Sequence, residues 1–306
     1  RAYADTDMFV HFTRIVRVVV RLKGGLGNQL FQYAAGLGLA LRHNSPLALD
    51  TVSGFVRDTN GRRFALADFT IDLQRANLLQ RRVMQVSSRL SRHPWFGFDP
   101  SAIPGLTVLR EGSDLLSWRD AGRVPAAWLF LDGYWQDPRF FPEDVETLRS
   151  AFNMDRLITQ DDDLVAFARR PQTVAVHIRY FSAENPGKFA DLGPDYYASA
   201  LRRMASGIGN PELLIFSDNP QAAGALLRRV VSKSTPLRFA DCGSASRDFA
   251  LMSTCPNAVI ANSTFSWWAA WLGPGREGQV VYPIPRPEVA IPSLPSPLQL
   301  PEWIGV

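Results

Sequence analysis

Two side chains at the end of one predicted strand are the residues of this sequence best suited to chemistry. His177 and Arg179 alternate with apolar residues in the segment 176–180, and strand residues two apart point to the same face. A strand with so many apolar residues is expected to be buried, and a buried cation needs an anionic partner. The planar guanidinium of Arg179 fits phosphate oxygens, so the pattern favours a phosphate site, with a structural Arg–carboxylate pair as the alternative.

A second polar group, the run 262–266 (Asn-Ser-Thr-Phe-Ser), follows a predicted strand and leads into a helix. Backbone N–H groups at a helix N-terminus, together with the hydroxyls of Ser263 and Thr264, can form a cradle for phosphate. Ser266 is alternatively only a helix cap. The three tryptophans of this helix are expected to pack as core: Trp267, Trp268 and Trp271.

Two acids end other predicted strands. Asp218 follows the strand 212–217 and could accept hydrogen bonds from a ribose or a nucleobase, or could cap the helix that follows. Asp241 ends the predicted strand 237–241 and, with Asp218, is a candidate partner for a guanine base. Both assignments rest on the rule that ligands of open α/β sheets bind beyond the carboxyl ends of the strands.

The glycine-rich turn Lys23-Gly24-Gly25-Leu26-Gly27-Asn28-Gln29 joins the first predicted strand to the first helix. It is neither a G-x-G-x-x-G dinucleotide fingerprint nor a P-loop, which would end in GK[ST]. Its glycines let the backbone approach a ligand or a neighbouring element, although a plain tight turn remains an alternative. The amides of Asn28 and Gln29 are suited to sugar hydroxyls, so we expect these residues and Gly25 to contact substrate.

Composition narrows the classes of function. The chain has 306 residues, with 33 Lys and Arg against 29 Asp and Glu, so its net charge is +4. This charge fits an anionic small molecule or a membrane surface and is too weak to indicate nucleic acid. Cys242 and Cys255 lie outside any CxxC pattern, which argues against a zinc site or a disulfide scaffold and suits a reducing cytoplasm. No run of about 18 apolar residues indicates a transmembrane anchor.

These residues are positioned by two predicted α/β series that meet near 155–172. The first has strands at 16–22, 46–50 and 128–134 and helices at 28–42, 73–90, 140–152 and 161–169. The second has strands at 173–178, 212–217, 237–241, 258–261 and 280–283 and helices at 195–205, 221–231, 246–254 and 266–272. Strands that alternate with helices predict a parallel, doubly wound sheet. The rest of 51–125 has no regular pattern, and the proline-rich tail 284–306 is expected to wrap over the surface from 284 to 301.

Taken in order, these segments resemble glycosyltransferase family 11, typified by α-1,2-fucosyltransferases. The resemblance covers about residues 16–283. It rests on the glycine-rich turn and on four later blocks: Gly133-Tyr134-Trp135-Gln136, His177-Ile178-Arg179, Phe216-Ser217-Asp218 and the segment 262–268. Each block is weakly specific by itself, and the ordered set is specific.

The resemblance implies an α/β fold of GT-B type, with two Rossmann-like domains facing a central cleft. The implied boundaries are an N-terminal extension at 1–15, an acceptor-binding domain at 16–170, a GDP-fucose-binding domain at 171–283 and a tail at 284–306. It also implies inverting, metal-independent transfer of L-fucose to a glycan acceptor. The implied donor site is Arg179, Asp218, Asp241, Ser263, Thr264 and Phe265, and the implied acceptor site is Gly25, Asn28, Gln29 and Gln136.

One departure affects catalysis. The family pattern continues His-x-Arg-Arg-x-Asp, whereas Tyr180 and Ser182 stand here in place of the second arginine and the acid. We expect Arg179, assisted by His177, to stabilise the negative charge of the leaving diphosphate, and Glu184 is the proposed replacement for the lost carboxylate. Asp137 and Asp195 are further candidates for the general base.

Three alternatives stay open at this point. The chain could make a different linkage, could be a non-catalytic carbohydrate-binding relative, or could be a Rossmann-type oxidoreductase, although the first turn lacks the required fingerprint. For an active enzyme we expect GDP-fucose and an oligosaccharide or glycoside acceptor as partners and no separate cofactor. By analogy with bacterial enzymes that modify surface polysaccharide, we expect it in the cytoplasm, with peripheral membrane contact near lipid-linked acceptors.

Overall fold

The computed structural model describes residues 17–71, 73–90, 105–110, 127–158, 163–181, 191–274, 278–284 and 295–306. The chain divides into two compact units. The first combines Arg1–Gly24, Phe31–Asp58 and Asp72–Leu148, and the second combines Gly25–Leu30, Thr59–Ile71 and Arg149–Val306. The acceptor and donor domains expected at 16–170 and 171–283 are functional assignments and stay predictions.

The first unit contains a parallel sheet of short strands. Within the described residues these are β1 (Arg17–Arg21), β2 (Leu47–Asp50), β3 (Leu106–Arg110) and β4 (Trp128–Asp132), in the order β2-β1-β4-β3. The β-branched centre of β1, Val18 to Val20, is fully buried, as expected for a central strand of a parallel sheet. All strands run in one direction, so their carboxyl ends form one edge.

Two helices accompany this sheet, α1 (Leu26–Arg42) and α2 (Leu78–Leu90). The start of α2 differs from the expected 73, because Asn77 and Gln80 cap each other's backbone N–H groups through side-chain oxygens at 2.9 Å. Arg75 instead forms an isolated bridge with Leu49. The stretch 51–125, in which no strand was identified from the sequence, contains β3, whose five residues are fixed by pairing with β4.

Short helices lead into the second unit: the 3₁₀ turn Pro138–Phe140, α3 (Val145–Ala151), the 3₁₀ turn Asp155–Leu157 and α4 (Asp163–Ala168). The expected helix at 140–152 is therefore divided, because Pro142 interrupts it. The aromatic segment 93–104 lies outside the described residues.

The second unit carries the other parallel sheet. Its strands among the described residues are β5 (Thr173–Ile178), β6 (Glu212–Ser217), β7 (Leu237–Phe239), β8 (Asn257–Val259), β9 (Val280–Tyr282) and β10 (Ile304–Gly305). Its helices are α5 (Pro194–Ile208), α6 (Pro220–Leu227), α7 (Ala245–Met252) and α8 (Thr264–Leu272). The order β10-β9-β8-β5-β6-β7 is that of a doubly wound sheet, as predicted.

The chain end and the tryptophan helix are packed together in this unit. Most of the expected surface wrap at 284–301 lies outside the described residues, and β10, just beyond it, joins the sheet beside β9. Trp267 and Trp268 are fully buried and Trp271 nearly so, which confirms them as core. The indole N–H of Trp267 donates to the carbonyl of Leu298 at 2.9 Å, which anchors the tail on α8.

Candidate active site

In the sheet of the second unit, the order in which the chain adds strands reverses between β5 and β8. The chain runs outward through β6 and β7, then returns to place β8 on the other side of β5. Ligands of open α/β sheets bind at such a switch point, beyond the carboxyl ends of the strands. Arg179 follows β5 and Ser263 follows β8, so the topology brings these two predicted groups to the same crevice of the second unit.

Arg179 is held by an acid on the neighbouring strand end. Its Nη1 lies 3.0 Å from Asp218 Oδ2, and the two side chains are 23% and 26% exposed. The other oxygen of Asp218 accepts the backbone N–H of Tyr180 at 3.1 Å. The alternative that Asp218 caps α6 was wrong, since the cap is Asn219, whose side chain accepts from the N–H of Ala222. The structure thus contains an Arg–carboxylate pair, as in the alternative to a phosphate site. Asp218 orients Arg179, and both groups keep contact with solvent.

His177 is buried beneath this pair. Its ring packs against Phe265, with 5.5 Å between centroids, and its Nδ1 has no hydrogen-bond partner among the described residues. Burial, and secondarily the charge of Arg179, lower the pKa of His177 to about 3. At neutral pH the ring is therefore uncharged, so any assistance it gives Arg179 is by hydrogen bonding and not by positive charge. A neutral imidazole can still donate or accept one hydrogen bond at Nδ1.

The first turn of α8 supplies hydrogen-bond donors. Ser263 is its N-cap, since Oγ accepts the N–H of Phe265 at 3.3 Å. The alternative that Ser266 is the cap was wrong, because its hydroxyl donates to the carbonyl of Ser263 from a buried position. Asn262, just before the cap, has a buried Oδ1 without a hydrogen-bond partner in the described part of the chain. The polar side chains of Asn262 and Ser263 therefore lie at the N-terminal end of α8, where the helix dipole is positive.

The glycine-rich turn contacts this helix directly. A Cβ on Gly27 would lie 2.4 Å from the carbonyl carbon of Thr264, so only glycine allows the approach. The next residue, Asn28, accepts a hydrogen bond from Thr264 Oγ1 at 3.2 Å. Gly25 has open space where a Cβ would stand. The turn therefore supports the start of α8, and Asn28 stays beside the predicted phosphate cradle.

Gln29 has a different role from the one its amide suggested. It is fully buried, with Nε2 donating to the carbonyl of Arg63 and Oε1 accepting the N–H of Ala65, both at 2.9 Å. These bonds hold the segment 59–71 rather than a sugar. The same segment is attached to α7, because Ser246 Oγ donates to Asp68 Oδ2 at 2.6 Å. The only sequence signal for the contact between Ser246 and Asp68 was a polar residue on the buried face of a helix.

The remaining predicted residues are more dispersed. Asp241 is exposed and follows β7, the strand beyond β6, and Glu184 lies outside the described residues. Gln136 is half-buried in the first unit, after Trp135, whose φ of 56° is unusual for a residue with a side chain. Asp137 caps a 3₁₀ turn and pairs with Arg139, which gives it a structural role.

Asp195 lies in the first turn of α5, where a negative charge stabilises the helix dipole. Within the described ranges no group of three or more His, Cys, Asp or Glu side chains could hold a metal ion. Nor is any described helix both long and apolar enough to cross a membrane.

Comparisons with known proteins extend over most of the chain. Residues 118–306 match the family described as glycosyl transferase family 11. An α-1,2-colitosyltransferase of Escherichia coli is 30% identical and covers 88% of this chain and 91% of its own length. The O-antigen biosynthesis glycosyltransferase WbnK of Escherichia coli is also 30% identical, covering 86% and 92%. NodZ α-1,6-fucosyltransferase co-crystallised with GDP shares the fold at a TM-score of 0.51 and 18% identity, covering 86% and 94%.

Proposed function

Because the chain belongs to glycosyl transferase family 11, we propose that it transfers L-fucose from GDP-fucose to a glycan acceptor, at the 2-hydroxyl of a galactoside. The chain is a glycosyltransferase of the GT-B fold class, similar to α-1,2-fucosyltransferases. The proposal adds inversion at the anomeric carbon, independence from metal ions and the galactoside acceptor.

The observation that carries the proposal is the Arg179–Asp218 pair at the switch point. Its Arg179 side chain is partly exposed, is oriented by a carboxylate at 3.0 Å, and follows the strand next to the one that leads into α8. A guanidinium and a helix N-terminus at one crevice are the two commonest protein ligands of phosphate. We therefore place the diphosphate of GDP-fucose between Arg179 and the first turn of α8, and the guanosine toward Asp218 and Asp241.

The transfer is a single displacement in this proposal. The acceptor oxygen forms a bond to the anomeric carbon while the bond from that carbon to the diphosphate oxygen breaks, and GDP leaves with the electron pair. Positive charge develops on the sugar ring and negative charge on the diphosphate. Arg179 and the N–H groups of Ser263 and Thr264 stabilise the leaving group, because their dipoles are already oriented. The N–H of Phe265 is instead used by the cap at Ser263.

His177 contributes a hydrogen bond and no charge. Its buried Nδ1 can donate to a phosphate or sugar oxygen, and its low pKa keeps the ring neutral when GDP-fucose arrives. Asp137 and Asp195 have structural roles, so Glu184 stays our proposed acceptor of the proton from the attacking hydroxyl. Gly25, Asn28 and Gln136 remain proposed substrate contacts, whereas we reassign Gln29 as a positioning residue.

Colitosyl transfer is a second candidate, favoured by the relative of that name that is 30% identical over 88% of this chain. Colitose is fucose without its 3-hydroxyl. A site that hydrogen-bonds this hydroxyl would reject colitose strongly, whereas an apolar site would accept both sugars with little preference. The donor sugar is therefore decided by one contact at the fucose 3-position.

The test is a donor screen with GDP-fucose, GDP-colitose and UDP-galactose, followed by linkage analysis of the product. We expect transfer from GDP-fucose in the presence of EDTA, with an α-1,2 linkage to a galactoside. Transfer only from GDP-colitose would establish the second candidate. Stabilisation by NAD rather than GDP in a thermal-shift assay, with no transfer, would contradict both. We propose cytoplasmic localisation, to be checked by cell fractionation.

A further inference from the structure

The outward face of α2 exposes large aliphatic side chains. Leu78 is 62% exposed, Leu79 59% and Val86 49%. Only three other large hydrophobic residues of the described chain are exposed to a comparable degree. Leu41 is a single such residue at the end of α1, and Val52 and Val56 lie in the turn after β2. Exposed aliphatic residues gathered on one element indicate an interaction surface, whereas single ones are ordinary.

The orientation of α2 is fixed by its opposite face. Gln80 and Met84 are buried, and Met84 belongs to the core cluster of the first unit, against which Val83 also packs. The reciprocal caps between Asn77 and Gln80 hold the first turn in place. With 3.6 residues per turn, Leu78, Leu79, Arg82 and Val86 then share the outward side. The aliphatic residues therefore face outward on a helix whose first turn is capped.

The charge on this helix has one sign. It contains Arg81, Arg82 and Arg89 and no Asp or Glu, and Arg82 is exposed among the aliphatic residues. Aliphatic side chains beside arginines, without acids, suit the interface of a membrane that carries anionic lipids. A symmetric dimer through the same surface would bring the arginines of two copies together, and like charges would oppose it. The composition thus favours a lipid surface over a second copy.

We infer that the outward face of α2 docks the protein on an anionic membrane surface. Leu78, Leu79 and Val86 enter the boundary between headgroups and acyl chains, and Arg82 contacts lipid phosphates. Since none of these residues belongs to the proposed donor site, docking does not depend on the sugar that is transferred. It would hold the enzyme peripherally, without a membrane-spanning helix.

Co-sedimentation of the full chain with vesicles tests this inference. Vesicles of phosphatidylcholine mixed with phosphatidylglycerol should bind the protein, and vesicles of phosphatidylcholine alone should bind it much more weakly. The triple variant Leu78→Ser, Leu79→Ser, Val86→Ser should lower the partition coefficient by about 100-fold, because it removes most of the inserted apolar groups. Arg82→Gln should lower it by about fivefold, and added salt should remove that difference.

Matched controls separate docking from unfolding. Leu41→Ser and Val56→Ser alter residues that are 54% and 65% exposed elsewhere, and should leave vesicle binding unchanged. All variants should keep the thermal shift produced by GDP and the transfer to a water-soluble galactoside. Equal binding to both vesicle types, or equal loss in the control variants, would overturn the inference. So would a dimer that the triple variant dissociates while vesicle binding persists.

Discussion

Both sheets place an aspartate beside cations at the carboxyl ends of their strands, and the two clusters differ in burial. In the first unit Asp132 is 1% exposed and pairs with Arg21 at 3.4 Å and Lys23 at 3.1 Å. In the second unit Asp218 is 26% exposed and pairs with Arg179, itself 23% exposed. A buried acid with two cations is neutralised within the protein. A partly exposed pair next to a helix N-terminus can exchange solvent for an anionic ligand. Because both clusters contain an aspartate and cations, residue types alone do not distinguish a structural cluster from a binding site.

Arg179→Ala should give the largest effect. Removing the cation that faces the leaving diphosphate should lower kcat/KM by about 100-fold to 1000-fold, the usual loss for one such contact. Steady-state kinetics with GDP-fucose measure it, and Arg179→Lys should recover part of the activity.

Arg170→Ala is the matched control for that variant. Arg170 pairs with Glu212 at 3.1 Å at the opposite, amino ends of β5 and β6, and is 47% exposed. We expect normal kinetics and at most about 1 kcal/mol of lost stability, as for other surface pairs. An Arg179→Ala enzyme that turns over as fast as Arg170→Ala would remove Arg179 from the mechanism.

Asp132→Asn should act on stability. It leaves Arg21 and Lys23 without their shared carboxylate, and we expect a loss of about 2 to 3 kcal/mol, less than for a fully buried pair because both cations keep some solvent contact. Urea unfolding measures this change. The matching Asp218→Asn should cost less than about 1 kcal/mol of stability, and the comparison fails if the two losses are equal.

Gly27→Ala tests whether the glycine-rich turn supports α8. The new Cβ would meet the backbone of Thr264 and Phe265, so we expect about 1 to 3 kcal/mol of destabilisation and a higher KM for GDP-fucose. Gly224→Ala, a substitution within α6, is the control. Its Cβ would make only ordinary contacts, the nearest at 3.6 Å from the ring of Phe239. That variant should gain roughly 0.5 to 1 kcal/mol. Equal stability of the two variants would show that the close approach is unimportant.

At neutral pH His177 should have the smallest effect on stability, and its contribution should appear only as the pH falls. Its folded pKa of about 3 lies below the ordinary 6.5, so the unfolded chain binds the proton first as pH falls. Stability should be greatest above the ordinary pKa and should decrease below it by about 1.4 kcal/mol per pH unit, until the folded pKa is approached. His177→Gln should remove that share of the acid sensitivity. Parallel unfolding curves for the two proteins between about pH 6 and pH 4 would contradict the burial of the ring.

Much of the fold was predictable because its signals are local. The β-branched run in β1 and the buried runs in β5 and β6 indicated parallel strands, and each was confirmed. β3 and β10 were missed, because each is placed in its sheet by pairing with a strand distant in sequence, β4 or β9. The start of α2 was misplaced because a pair of caps between Asn77 and Gln80 overrode its helical pattern.

The site was predictable in part. The positions of Arg179, Asp218 and Ser263 at strand ends followed from strand boundaries alone. The roles of Gln29 and His177 did not, since Gln29 bonds to Arg63 and Ala65 more than thirty residues away and the low pKa of His177 comes from burial.

The sequence by itself determined the alternation of strands and helices, the ordered blocks of its family and the residues that end each strand. These depend on side-chain types and spacings within a few residues, where local geometry is sufficient. Only the tertiary structure decided that Asp132 is buried, that Asp218 is partly exposed and that Gly27 must lack a side chain. Burial and long-range contact depend on how distant segments pack, and no local pattern contains that information.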